Sequence, residues 1–246
     1  MKNNEPETIS LPKSFCIFMI AGIQFYVVIK IIVPWLSRCL NTTEYIVWMF
    51  AGTFLLFIPI FSTAFLLLKK DGYAMDHKTI KRALNLHKLS KKDCLWIITG
   101  LIIAGLLCCI IILLFMGFSN SFTVESLYSI SPIAVSPLHG NELWYAVFLP
   151  VFFFFNYAGE EILWRGYILP RQLNSNYGKY AILINALFHC VYHFVFGIKP
   201  LIIMFPMLIL MPLIVSKTKN TWTSIIIHTL IGAPTQVMII LGVLGN

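Results

Sequence analysis

Glu160, Glu161 and Arg165 lie inside an apolar run spanning about residues 143–169. Lipid strongly disfavours such groups, so within a membrane helix they turn toward protein and mark a site. Glu161 and Arg165 are four residues apart with the acid nearer the amino end, a spacing at which helix side chains pair. Glu160 points about 100° around the helix from Glu161, so the second carboxylate is free to face another partner. Asn156, one turn earlier, extends the same polar stripe. Two further polar outliers, His193 and His228, occur in later apolar segments. These five residues are expected to meet in one membrane-embedded site that activates water. A buried carboxylate can act as general base toward water. Histidines beside it can share the proton, ligate a metal, or donate to a developing oxyanion.

The later segments carry stripes of their own. Asn185, His189 and His193 recur every four residues, and Ser224, His228 and Gln236 share a segment with the small Gly232. Polar stripes of this kind face neighbouring helices rather than lipid. His189 and His193 have the i, i+4 spacing of a metal pair, but no glutamate follows His189, so the H-E-x-x-H motif is absent. If a divalent metal such as zinc is bound, Glu160, His193 and His228 are the expected ligands. A metal-free mechanism stays equally open. Plainer readings exist for each residue: the acid–arginine pair as structural glue, His228 as a packing residue, His189 as a polar neighbour. His77, His87 and His139 read as ordinary loop residues and Lys30 as a snorkelling side chain. Chemistry is favoured by the combination.

The elements that must position these residues follow from composition. Of 246 residues, 59% are hydrophobic and 11% charged, against about 25% charged in soluble domains. Several apolar runs reach the ~20 residues that span a bilayer as a helix. The expected fold is all-α, a polytopic membrane protein of about seven transmembrane helices with no separate soluble domain. The runs are continuous rather than alternating, which excludes a transmembrane barrel. The expected spans are about 14–36, 44–68, 94–118, 143–169, 180–196, 201–215 and 222–244. Pro34 should bend or end the first of them. That first run is too long for a signal-peptide core and is read as a permanent span.

The stretch 69–93 is basic, with a modest apolar helical face at Ile80, Ala83 and Leu84. It reads as a solvated cytoplasmic loop or as a segment lying on anionic headgroups. With the amino terminus in the cytoplasm, fourteen basic residues fall inside and two, Arg38 and Lys199, outside. That asymmetry sets the orientation. It also accounts for the net charge of +8 without a nucleic-acid partner. The six cysteines show no C-x-x-C spacing and read as small buried apolar side chains rather than a disulfide framework. No internal repeat supports a transporter. The chain divides into residues 1–142, with three spans and the basic loop 69–93, and residues 143–246, a core of four spans.

The stretch Glu160-Glu161-x-x-x-Arg165-Gly166-Tyr167-Ile168 resembles the first motif of the CPBP family of intramembrane proteases. That family includes the CAAX prenyl endopeptidases and Abi-like proteins of bacteriocin processing and immunity. Its second motif, F-x-x-x-H, aligns with His189 to His193, where His189 replaces the phenylalanine and Phe188 stands beside it. Its third, H-x-x-x-N, aligns with His228, where Gly232 replaces the asparagine. The resemblance covers roughly residues 143–240. It implies a metalloprotease-like hydrolase of the cell membrane, in a bacterium by the Lys/Asn/Ile-rich style of the chain. Its substrate would be a membrane-associated peptide or protein: a CAAX-like carboxyl terminus, or a pheromone or bacteriocin precursor. Glu160 would activate water with help from His193, Arg165 would orient the carboxylates, Glu161 would support them, and His228 would help hold the oxyanion. The missing asparagine removes one donor, worth about 3 kcal/mol in comparable sites. The alternative is a non-catalytic immunity or regulatory membrane protein that binds a peptide or partner.

Overall fold

The computed structural model describes residues 7–118, 133 and 137–241. The described residues are helices joined by turns: α1 (Leu11–Leu40), α2 (Glu44–Lys70), α3 (His77–Ala83), α4 (Lys91–Phe118), α5 (Gly140–Leu173), α6 (Ala181–Tyr192), α7 (Ile198–Thr218) and α8 (Trp222–Ile240). Five of these, α1, α2, α4, α5 and α7, are long and apolar enough to cross a membrane. The expected fifth span is shorter: α6 has 12 residues and is followed by a 3₁₀ turn at Phe194–Phe196. The sixth is longer than expected, at 21 residues. Most of the expected loop 119–141 lies outside the described residues.

Local sequence explains the helix starts. Ser10 caps α1, accepting from the Lys13 amide, and Thr43 caps α2, accepting from Ile46. Asp76 accepts from the Thr79 amide at 3.0 Å to start α3, and hydrogen bonds from Thr79 hold its carboxyl below the usual range. Ser90 and Asp93 exchange backbone-to-side-chain bonds at the start of α4, a reciprocal cap that satisfies two orphan donors.

Wide π turns interrupt three long helices: Val28–Ile32 in α1, Thr53–Phe57 in α2, and both Phe154–Gly159 and Ile162–Ile168 in α5. Three of the four end two residues before a proline, namely Pro34, Pro59 and Pro170. A proline ring clashes with the carbonyl four residues back and supplies no amide for it. That carbonyl lies inside the wide turn in every one of the three. Pro34 therefore widens α1 without ending it. Pro206, Pro212 and Pro234 sit inside α7 and α8 without such a turn, and nothing in the structure explains the difference.

The second half of α5 is the centre of the molecule. Every residue from Tyr157 to Gln172 is buried, which a helix in a membrane bundle achieves only when neighbours surround it. Peripheral α4 buries little beyond Asp93, Ile97, Gly100 and Ala104. The cysteines, expected to be buried, are all free and either exposed or half-buried. Apolar side chains gain little by leaving lipid, so burial is not forced on them.

Two sets of hydrogen bonds mark the ends of the bundle. At one end Ile9 bonds Ser175 and Tyr177, Asp71 pairs with Arg171 at 2.8 Å, Asn220 donates to Asp93, and Thr221 donates to the Leu84 carbonyl. The basic stretch thus docks against the bundle through Leu84, which is fully buried. At the other end Tyr45 donates to Gln236 and the Leu138 amide to the Ile240 carbonyl.

Close helix approach depends on small residues. A Cβ at Gly22 of α1 would lie 2.9 Å from the Val191 carbonyl oxygen and 3.2 Å from Tyr192 Cα. Both are backbone atoms of α6, which cannot swing aside. Gly22→Ala is expected to destabilise the protein by about 1–3 kcal/mol, read as a lower unfolding midpoint in detergent. Gly105→Ala, where nothing lies within 4 Å, serves as the unaffected control.

Candidate active site

The two wide turns of α5 flank Glu160 and Glu161 directly. Such turns recur at functional sites because they re-aim side chains relative to a regular helix. Here the adjacent carboxylates face different partners. Glu161 Oε1 accepts from Arg165 Nη1 at 2.9 Å and from His228 Nδ1 of α8 at 3.1 Å. Glu160 Oε1 accepts from the Tyr192 hydroxyl of α6 at 3.0 Å, and its Oε2 lies 3.4 Å from His189 Nε2. Glu161 and Arg165 are both fully buried, so each charge depends on the other for the stabilisation that water would otherwise give.

His193 terminates α6. Its Nδ1 lies 3.2 Å from the His189 carbonyl, and a carbonyl only accepts, so Nδ1 carries the proton and Nε2 keeps its lone pair. The His189 and His193 rings stack with centroids 4.6 Å apart. Glu160, His193 and His228 line one cavity of about 330 Å³, whose other walls include Phe25, Trp48, Phe57 and Tyr157. All five residues expected from the sequence are therefore gathered around this point, from α5, α6 and α8. Asn156 also lines the cavity. Asn185 does not join it, donating instead to the Trp164 carbonyl and to Gln172, whereas Ser224, which donates to the Thr221 carbonyl of its own segment, also neighbours the Glu161 carboxylate.

The metal-ligand set differs from the expected one. Glu160, His189 and His193 each offer a ligand atom, and these atoms all lie within 4.8 Å of one another. His228 is instead engaged with Glu161. Both ring nitrogens of His189 and Oε2 of Glu160 are buried without a hydrogen-bond partner, an arrangement that ordinarily carries a cost and that a cation would relieve. The residues fit a divalent metal of the kind held by imidazole and carboxylate. His189 is thus a candidate ligand, where its position in the sequence suggests a polar neighbour. Tyr192 and Tyr157 were not legible as site residues. Their signals are Tyr192 at three residues from His189 and Tyr157 one turn before the carboxylates.

Residues 142–233 match the family model of the type II CAAX prenyl endopeptidase Rce1-like proteins, which bears out the resemblance drawn from the motifs. No curated protein and no solved structure matches the chain.

Proposed function

We propose, from the match of residues 142–233 of this multi-pass membrane chain to the Rce1-like type II CAAX prenyl endopeptidase family model, that it hydrolyses peptide bonds of a membrane-associated substrate. The observation that carries this reading is the convergence of Glu160, His193 and His228 on one apolar-walled cavity. Apolar walls suit a prenylated or aliphatic carboxyl-terminal peptide. The same chemistry would serve maturation of a pheromone or bacteriocin precursor.

Glu160 takes a proton from water as the water oxygen bonds to the substrate carbonyl carbon. The Tyr192 hydroxyl, donating to Oε1, holds the carboxylate in place and leaves Oε2 toward the histidines. The C–N bond then breaks, and Glu160 returns the proton to the leaving amine. Arg165 fixes Glu161, and Glu161 fixes His228 against the cavity. A divalent metal, when bound, would be held by Glu160, His189 and His193 and would supply Lewis-acid polarisation of water or carbonyl.

Seven crossings with a cytoplasmic amino terminus remain our reading, with α6 and α8 as the two shorter ones. It is supported by the end-to-end hydrogen bonding: the segments linked at one end around Ile9, Asp71, Asp93, Arg171 and Asn220 are those that carry the inside excess of lysine and arginine. The division at 142/143 coincides with the start of the matched region.

The test uses purified chain and a peptide ending in farnesyl-cysteine and three further residues, read by mass spectrometry in ¹⁸O-water. Loss of the three terminal residues with one ¹⁸O incorporated is the expected outcome. A peptide bound yet left intact would move the reading to a non-catalytic binding protein. Independently of turnover, His189→Phe is expected to lower the zinc retained per chain after dialysis from about one to near zero, measured by plasma mass spectrometry. Equal zinc in both proteins would remove His189 from the ligand set.

A further inference from the structure

Gly232 of α8 lies one turn beyond His228, where the resemblance expects an asparagine. A Cβ built at Gly232 would lie 2.4 Å from Tyr157 Cε1 and 2.7 Å from the Tyr157 hydroxyl oxygen. The tyrosine thus fills the volume that a longer side chain at 232 would claim. Its ring centroid is 4.9 Å from that of His228, and it lines the same cavity as Glu160, His193 and His228. The residue is 3% exposed. Among the described residues its hydroxyl has no hydrogen-bond partner, whereas Tyr45 donates to Gln236 and Tyr192 to Glu160. A hydroxyl that faces a cavity without a partner is placed to serve a ligand.

The chemistry of the site identifies what it would serve. Attack on a peptide carbonyl leaves negative charge on the former carbonyl oxygen, and that oxygen needs donors already in position. His228 meets this need only when both of its ring nitrogens carry protons. Its Nδ1 faces the Glu161 carboxylate, which only accepts, so Nδ1 carries a proton and a neutral ring presents a bare lone pair at Nε2. A tyrosine hydroxyl donates whatever the charge of its histidine neighbour.

We infer that Tyr157 is a catalytic residue that donates its hydroxyl hydrogen bond to the oxyanion, from the space that Gly232 leaves open. The role rests on the peptidase reading above. As the water oxygen bonds to carbon, the carbonyl π electrons move to oxygen, and Tyr157 holds that charge without giving up its proton. When the C–N bond breaks the carbonyl reforms, and Glu160 delivers the proton to the amine.

The experiment compares full-length wild type, Tyr157→Phe, Glu160→Gln, Tyr157→Ala and the exchange Tyr157→Ala/Gly232→Asn. All are assayed in nanodiscs on an internally quenched farnesylated Cys-Ile-Ile-Met peptide. Tyr157→Phe is expected to lower kcat about 100-fold with KM within about twofold and the unfolding midpoint unchanged. The exchange, which puts an amide donor into the same volume, is expected to recover about tenfold over Tyr157→Ala. Tyr157→Phe at wild-type kcat, with Glu160→Gln inactive, overturns the role of Tyr157 alone. Wild-type rate in Glu160→Gln, or no cleavage by wild type, overturns the prenyl-endopeptidase reading and this role with it. If Tyr157→Phe fails to fold, the exchange decides, and no gain over Tyr157→Ala overturns the proposal.

Discussion

Glu160→Gln is expected to lower kcat by about 10²–10⁴-fold, the range over which a positioned general base contributes, while the protein stays folded. Glutamine is isosteric with glutamate, and its side-chain oxygen can still accept from the Tyr192 hydroxyl that lies 3.0 Å from Oε1. The arginine of the site keeps its partner Glu161, and only His189 Nε2, 3.4 Å from Oε2, loses a carboxylate neighbour. What disappears is the carboxylate's ability to hold water's proton and, if a metal is bound, one of its ligands. Thermal unfolding in detergent should therefore show an unchanged or raised midpoint beside the lost turnover. A Glu160→Gln protein that cleaves at the wild-type rate would falsify the assignment of the base.

Arg165→Met is expected to do the reverse, damaging stability before chemistry. Arg165 and Glu161 are both at 0% exposure with Nη1 and Oε1 2.9 Å apart. Removing the guanidinium strands a carboxylate in the middle of the bundle, where His228 at 3.1 Å is its remaining partner. Breaking one side of a buried pair costs about 3–5 kcal/mol. Removing both charges together, as Glu161→Gln/Arg165→Met, leaves nothing stranded and is expected to cost less than Arg165→Met alone. The order of unfolding midpoints, wild type above the double variant above the single, checks the claim. A single variant as stable as wild type would mean that the pair contributes nothing to the fold.

The site was legible because lipid makes polar residues conspicuous. Glu160, Glu161, Arg165, His193 and His228 stand out in their apolar runs, and the structure gathers all five. The choice of metal-facing histidine was not legible. His189 and His228 are equally polar and equally placed by spacing. Which one faces Glu160 depends on how α6 and α8 are rotated against α5, and the wide turn at Phe154–Gly159 contributes to that rotation with no proline to announce it. The length of α6 was misread for a related reason. The apolar run continues past Tyr192, but the backbone tightens there and reverses at Gly197, whose φ of 84° is open to glycine at little cost. Burial of the cysteines failed as an expectation because in lipid an apolar side chain can point outward as readily as inward.

The cavity joins two parts of the chain with different histories of recognition. Glu160, His193 and His228 fall within the matched residues 142–233, whereas Phe25, Ile29, Tyr45, Trp48 and Phe57, which also line the cavity, come from α1 and α2 outside that match. The polar residues of the candidate site and part of the apolar wall beside them are thus drawn from different parts of the chain. On the proposed peptidase reading, substitutions at Phe25, Ile29 or Trp48 are expected to change which peptides fit the cavity.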